Sequence, residues 1–340
     1  MKPLASILAV GARTPLGLDA CQTGMLFRAG YATMDEAPLG LDGEPVTVSR
    51  TAAIDEALTG ADRLLALAEP ALDEALAEEA ARGGPVQEVR FVLGLDEAID
   101  EAVGERVAGV LLSRVRRWFD GARLELVRGG AGSEVPAVQK ALGRGRATTV
   151  IWGGVHSDHD PWAIARLVAQ DRLYADDNLD AVLPGEAAAF VRLAAGAWSE
   201  GLATVVGLGH GVEAARADND LPIAPARGIT AALRTATADM EAAGEQAGWV
   251  VSDVGLEAWR LREWQTLTVR ARPVAGPPYR YDNPAQRMGR LGAAGMPLGL
   301  ALVTEGFRRG WSPSNRALVF GGSDGGARGA AALAATEGAR

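Results

Sequence analysis

The segment Arg316-Ala317-Leu318-Val319-Phe320-Gly321-Gly322 constrains the fold more than any other part of the sequence. It is an apolar strand pattern closed by two glycines, and a helical pattern over residues 298–307 precedes it. The same succession occurs earlier, as a helical pattern over 135–142 and a strand pattern over 148–154 that also ends in two glycines. Two similar halves within one chain indicate a duplicated fold.

A second pair of segments extends this repeat. Residues 61–93 and 229–254 each follow the order Ala-rich helix, turn and strand. Within the first segment, apolar residues at helical spacing predict a helix over 61–81, which Pro70 is expected to kink, and a strand over 89–93. Short apolar strands that alternate with helices predict an α/β protein.

The repeat divides the chain into an N-terminal half, residues 1–200, and a C-terminal half, residues 201–340. We expect the halves to form one interlocked unit, because no Pro- or Ser-rich linker separates them. The polar segment 214–227 contains two prolines and is the best candidate for an exposed loop between the halves.

The composition narrows the possible partners and locations. The chain has 340 residues, of which 48% are hydrophobic, and its net charge is −9. Excess negative charge argues against nucleic acid or an anionic membrane as the main partner. Cys21 is the only cysteine, so no internal disulfide can form and a reducing cytoplasm is expected. The apolar stretch 4–10 is too short for a signal peptide or a membrane span, and we expect it to be a buried strand.

Three motifs carry a resemblance to a known family. Gly185-Glu186-Ala187-Ala188 is similar to a Gly-Glu-Gly-Ala segment, Gly289-Arg290-Leu291-Gly292-Ala293-Ala294-Gly295 to a Gly-His…Ala-Ala-Gly loop, and Phe320-Gly321-Gly322-Ser323-Asp324 to Phe-Gly-Gly-Thr-Asn. Residues 9–17 and 152–154 add weaker likenesses in the expected order. Together these segments span almost the whole chain, which resembles the β-ketoacyl synthases of the thiolase superfamily.

The resemblance implies a five-layered α-β-α-β-α fold of the thiolase type, built from two pseudo-repeated halves. It also implies a homodimer, or a heterodimer with a related subunit, and it makes an acyl carrier protein a further candidate partner. No cofactor is expected.

Family members attack a thioester with a cysteine held at the start of a buried helix. The corresponding position falls within residues 128–133, where no cysteine stands. Arg128 and Ser133 are the candidates there for a place in a degenerate pocket. Ser133 is the one hydroxyl within reach, and we interpret it as the N-cap of the following helix, with Glu134 in the first turn. A nucleophilic role for Ser133 is the alternative, although no base can be named for it.

Both family histidines are also replaced. Asp253 stands where the first is expected, and Arg290 where the second is expected. Their separation in sequence is like that of the two family histidines. A carboxylate and a guanidinium can form a charge-assisted pair, and we predict that this pair joins two loops. A repurposed anion site is the alternative. Phe320 completes the set of pocket candidates.

The three histidines of the sequence lie at other positions. Residues 156–160 contain several potential metal ligands close together, which makes His156 and His159 weak candidates for a metal site. A polar loop is the favoured interpretation, with Asp160 as the N-cap of a helix that follows. His210 lies within a Gly-rich strand and is predicted to be a core or interface residue rather than a base.

Trp259 and Trp264 lie in a helical pattern where aromatic and charged residues alternate. Packing against the body of the protein is the favoured interpretation. A partner-binding face is the alternative, because Trp and Arg often anchor interfaces.

These replacements predict a ketosynthase-like protein without catalytic residues, which acts by association. It would be an auxiliary subunit of fatty acid or polyketide synthesis, or an adaptor in another assembly such as a secretion apparatus. The alternative is a diverged acyltransferase or hydrolase that uses Ser133 or another nucleophile that is not a cysteine. An enzyme would need an open tunnel to Ser133, Asp253 and Arg290, with a base within hydrogen-bond reach.

Overall fold

The computed structural model describes residues 3–77, 88–144, 148–214, 217, 226–270 and 280–336. The strands are β1 (Ala5–Arg13), β2 (Asp35–Ala37), β3 (Val46–Val48), β4 (Glu88–Leu95), β5 (Arg123–Arg128), β6 (Thr148–Ser157), β7 (Glu186–Ala195), β8 (Ala203–Val212), β9 (Trp249–Ser252), β10 (Arg280–Asp282), β11 (Arg316–Gly322) and β12 (Ala327–Ala335). The helices are α1 (Ala20–Arg28), α2 (Gly60–Leu76), α3 (Glu101–Arg116), α4 (Val135–Leu142), α5 (Pro161–Ala169), α6 (Arg227–Ala242), α7 (Ala258–Arg270), α8 (Ala285–Met288) and α9 (Gly295–Arg308), with short 3-10 turns at Leu41–Gly43 and Gly292–Ala294.

Ten strands form one sheet in the order β10-β9-β11-β12-β8-β1-β7-β6-β4-β5. Its two halves repeat one another. Numbered along the chain, the five strands of each half lie side by side in the order first, fifth, fourth, second and third. This order is β1-β7-β6-β4-β5 in one half and β8-β12-β11-β9-β10 in the other. The halves join where Ala5 to Ile7 of β1 pair with residues 203–205 of β8. The chain crosses from one half to the other between β7 and β8, and the boundary at residues 200 and 201 stays a prediction.

Helices form the other layers. Helix α9 packs against β7 and β1 of one half-sheet and against β11 and β12 of the other, so it lies between them. Helix α4 lies in the same central layer and packs on β6 and β8. On the outer faces, α2 covers β1 and β7, while α6 covers β8 and β12. The three larger apolar clusters of the described residues fill the spaces between these layers. The predicted five-layered α/β fold is therefore confirmed.

A buried ion pair ties α2 to the sheet and explains the Gly-Glu motif. Arg63 donates to Glu186 through Nε (2.7 Å) and Nη2 (2.9 Å), and neither side chain is exposed. Glu186 also accepts hydrogen bonds from the Thr51 backbone N–H (2.7 Å) and the Ser157 hydroxyl (2.8 Å). A buried carboxylate with all these donors is fully satisfied, so the motif serves the structure here.

Alternate glycines let α6 lie directly on β8. A Cβ added to Gly207, Gly209 or Gly211 would fall 2.3, 1.9 or 2.2 Å from a backbone oxygen of α6. The Gly-rich pattern of β8 is thus a packing surface for a helix, because no side chain fits between these two backbones.

Most predicted elements occur within a few residues of the expected bounds. Helix α4 spans 135–142 as predicted, and β6 runs past its predicted end to Ser157. The predicted end of the helix at residue 81 lies outside the described residues, as does most of the expected loop 214–227. Among the described residues, no helix is long and apolar enough to span a membrane.

Candidate ligand-binding cavity

A cavity of about 890 Å³ opens between the two halves of the molecule. Loops that follow β4, β6, β9 and β11 line it, because the carboxyl ends of these strands meet there. The turn between β5 and α4 and one side of α5 complete the wall. The lining segments include residues 96–100, 129–131, 156–160, 290–292 and 322–325.

The turn between β5 and α4 brings only a methyl group to the cavity. Its lining residues are Gly129, Gly130 and Ala131, whereas Arg128 and Ser133 do not line the cavity. Ala131 and Asp253 both lie next to Gly295. A Cβ atom added to Gly295 would lie 3.7 Å from the Ala131 Cβ and 3.2 Å from the Asp253 Cβ, so these two side chains are close to each other. At this point the wall therefore carries no nucleophile.

Ser133 does not cap the central helix. Helix α4 begins at Val135 with Glu134 as its N-cap, and no side chain accepts a capping hydrogen bond there. The Ser133 hydroxyl instead donates to the Gly130 carbonyl at 2.6 Å. The N-cap prediction is wrong because Gly130 and Gly132 adopt left-handed backbone conformations, and the resulting tight turn directs the hydroxyl back along the chain. Among the described residues no base forms a hydrogen bond with the Ser133 hydroxyl, so the nucleophilic alternative gains no support.

Two further candidates contact other parts of the molecule. Arg128 donates through Nη2 to the Ile99 carbonyl. Phe320 packs behind the cavity against Trp264, at 5.4 Å between ring centroids, and Trp264 stacks on Tyr281 at 4.3 Å. Trp259 is buried as well. The packing interpretation of the two tryptophans is confirmed.

Asp253 and Arg290 both line the cavity, but the predicted ion pair between them is wrong. Asp253 accepts from Arg260 Nη2 at 2.7 Å and from the Gly322 backbone N–H at 3.0 Å. Arg290 donates through Nε to Asp158 at 3.0 Å and through Nη1 to Asp324 at 3.3 Å. Each residue has closer partners of opposite charge, which the sequence spacing alone does not reveal.

His156 is a buried residue of β6, so the prediction of a polar loop is wrong at this position. Its Nδ1 contacts Asp96, and its Nε2 lies 3.0 Å from Asp158 Oδ2. Burial by itself lowers the pKa of the imidazole, but Asp158 and Asp96 outweigh burial and raise the pKa to about 9. Arg290 and His156 in turn overcome the effect of burial on Asp158 and hold its pKa far below the usual range.

His159 and Asp160 belong to the local structure at the start of α5. Asp160 accepts a hydrogen bond from the Trp162 backbone N–H at 2.8 Å, which confirms the predicted N-cap. His159 donates through Nε2 to the Glu56 carbonyl at 2.9 Å, and burial lowers its pKa. No cluster of three or more potential metal ligands exists within the described ranges.

His210 is exposed on β8, where its Nδ1 lies 3.2 Å from Gln139 Oε1. A core position is therefore wrong, because the ring lies near the exposed end of the strand. An interface role for His210 stays a prediction.

The cavity floor is an ionic network that the sequence analysis missed. Side chains of alternating charge follow one another in the order Asp96, His156, Asp158, Arg290, Asp324, Arg172 and Glu257. A second series runs through Asp253, Arg260, Glu263 and Arg328. Asp158 directly follows β6, and Asp324 lies two residues beyond the end of β11. Because both strands contain a Gly-Gly pair and end at the same edge of the sheet, the convergence of the two carboxylates was the available signal.

No protein-family model and no curated protein sequence matches this chain. Solved structures do. An ishigamide ketosynthase/chain length factor has a TM-score of 0.72 at 20% identity, over 98% of this chain and 99% of that one. A type II polyketide synthase acyl-carrier protein in complex with its ketosynthase, bound to the hexaketide, has a TM-score of 0.79 at 12% identity, over 99% and 100%. A bacillaene synthase ketosynthase from Bacillus subtilis has a TM-score of 0.75 at 12% identity, over 98% and 72%. The chain has the ketosynthase fold.

Proposed function

We propose that the chain is a ketosynthase-like protein that performs no condensation and acts by association in acyl-chain synthesis. One observation carries the proposal. The cavity wall between β5 and α4 presents Ala131 beside Asp253, and a methyl group cannot attack a thioester. Cys21, the single thiol, lies on α1 and does not line the cavity.

The ionic network supports the same conclusion. Condensation needs groups that donate to a thioester oxygen or exchange protons near neutral pH. Asp253 is paired with Arg260, and Arg290 is paired with Asp158 and Asp324. A guanidinium keeps its proton at neutral pH, so Arg290 cannot act as a base.

Partnership with a related subunit is the expected mode of action. Strand β5 ends the ten-stranded sheet, and Arg123 and Glu125 on it are exposed. An edge strand offers unpaired backbone groups to another strand, so β5 is suited to pair with a second copy of the chain or with a related ketosynthase. Two of the similar structures are a ketosynthase/chain length factor and a ketosynthase complex with an acyl-carrier protein, which favours partners of these kinds.

Native co-purification tests the proposal. We expect the tagged protein, isolated from its own cell, to bring down an active ketosynthase or an acyl carrier protein, identified by mass spectrometry. Partners unrelated to acyl chemistry would replace the auxiliary-subunit proposal with the adaptor alternative.

A substitution tests the enzymatic alternative. Ser133→Ala is expected to bind partners as the wild type does. Any acyl-transfer rate measured with the purified chain is expected to be the same in the variant and the wild type. Loss of a measurable acyl-transfer activity in this variant would overturn the non-enzymatic proposal and support a serine-dependent acyltransferase.

A further inference from the structure

The carboxylate of Asp324 lies between two guanidinium groups inside the cavity. Arg172 donates to it through Nη1 at 3.0 Å and through Nη2 at 3.2 Å. Arg290 donates to it through Nη1 at 3.3 Å. Asp324 thus occupies the position that the carboxylate of a bound molecule would take between two arginines.

Both arginines are held in place without Asp324. Arg290 donates through Nε and Nη2 to Asp158, and Arg172 donates through Nε and Nη2 to Glu257 at 2.7 and 2.9 Å. Each pair is bidentate, which fixes the plane of the guanidinium. Two donors therefore stay aimed at the same point when Asp324 moves away.

Asp324 is the most easily displaced carboxylate among these partners. Its side chain is 36% exposed, compared with 1% for Asp158 and 11% for Glu257. It lies in the turn between β11 and β12, followed by two glycines, and Gly326 has a φ of +98°. A glycine-containing turn can change conformation at low cost, because glycine occupies both signs of φ.

We propose that Asp324 is an internal occupant of an anion site, and that the cavity binds small carboxylic acids whose carboxylate replaces it between Arg172 and Arg290. The cavity volume of about 890 Å³ leaves room for a short apolar tail. Leu183, Leu256 and Leu291 line the cavity and are available to contact such a tail. This site is independent of the proposed association with a ketosynthase or a carrier protein.

Calorimetric titration of the purified full chain with hexanoate tests the site. Asp324→Asn removes the competing charge, so hexanoate is expected to bind at least about tenfold more tightly than to the wild type, as one charge-assisted hydrogen bond would allow. Hexanamide, which has the same tail without the charge, is expected to show no such gain.

A matched variant separates this effect from a general change in cavity charge. Asp100 lines the same cavity, but it caps α3 by accepting from the Ala102 and Val103 backbone N–H groups. Because Asn caps a helix as well as Asp does, Asp100→Asn removes one negative charge and keeps the local structure. We expect hexanoate to bind this variant with wild-type affinity.

Adding Arg172→Gln to Asp324→Asn is expected to abolish the gain. The proposal is overturned if Asp324→Asn binds hexanoate no more tightly than the wild type or Asp100→Asn, or if hexanamide gains equally. Asp324→Ser, a residue common in turns, gives the same test should Asp324→Asn fail to fold.

Discussion

Asp253 directly follows β9, and its carboxylate is shared between Arg260 and the backbone of Gly322. Its removal leaves Arg260 with Glu263 as its remaining carboxylate partner, and Glu263 is already shared with Arg328. Because one buried positive charge is then in excess, Asp253→Ala is expected to lower the free energy of unfolding by about 3 kcal/mol. Urea denaturation measures this loss.

A double-mutant cycle identifies the partner of Asp253. Asp253→Asn is expected to couple to Arg260→Gln by about 1 kcal/mol or more, and to be additive with Arg290→Gln within about 0.5 kcal/mol. The reverse pattern would mean that Asp253 pairs with Arg290 in solution.

The raised pKa of His156 is expected to make the stability of the protein depend on pH. Its pKa in the folded protein is raised from 6.5 to about 9. The stabilisation by Asp96 and Asp158 is therefore present in full below about pH 6.5 and is lost as the pH rises through about 9, with a total of at most about 3 kcal/mol. We expect His156→Gln to flatten this part of the unfolding free energy measured from pH 6 to 10. The matched control is His210→Gln, because that ring is exposed on β8, and an unchanged slope in His156→Gln would refute the assignment.

At the scale of secondary-structure elements, the start of α4 carries a second titrating group. Burial of Glu134, and then its proximity to Asp253 and Asp96, raises its pKa from 4.5 to about 8. The folded protein therefore holds a proton that the unfolded chain releases, and stability falls as the pH rises from about 4.5 to about 8. Glu134→Gln is expected to increase the unfolding free energy by up to about 3 kcal/mol at pH 7. No gain is expected at pH 4, and an equal gain at both pH values would exclude this explanation.

The contact between β8 and α6 also belongs to this scale. A Cβ at Gly209 would lie 1.9 Å from the Ala232 carbonyl oxygen. Since the helix must move away, Gly209→Ala is expected to lower the unfolding free energy by about 1–3 kcal/mol. Gly109→Ala is the matched control, because Gly109 is exposed inside α3 with open space around it, and a gain of about 0.5–1 kcal/mol is expected there. Thermal unfolding of both variants shows whether stability falls in Gly209→Ala and rises in Gly109→Ala.

At the scale of the whole molecule, the sheet ends in β5. If β5 pairs with a strand of another subunit, the backbone N–H groups on its outer edge form inter-strand hydrogen bonds with that subunit. Hydrogen exchange of the native complex is then expected to be slow along Arg123–Arg128, and faster in the isolated chain. Equally fast exchange in both samples would show that the partner binds at another surface.

Much of the fold could be predicted because its signals are local. The bounds of α4 follow from apolar residues at helical spacing, and the strands that end in Gly153-Gly154 and Gly321-Gly322 follow from short apolar runs. The predicted Ser133 cap failed because two glycines redirect the chain over five residues. A local pattern predicts an element more reliably than it predicts the direction of one hydroxyl.

The sequence by itself determined the α/β class, the internal repeat and the lack of a cysteine near residues 128–133, since each depends on residue types at short spacing. Only the tertiary structure decided which side chains share the cavity. Asp158, Arg290, Asp324 and Arg172 come from different loops. Electrostatic pairing depends on separations of about 3 Å between atoms that are far apart in the chain. The sequence shows which charged residues are present, but their ion-pair partners depend on the three-dimensional fold.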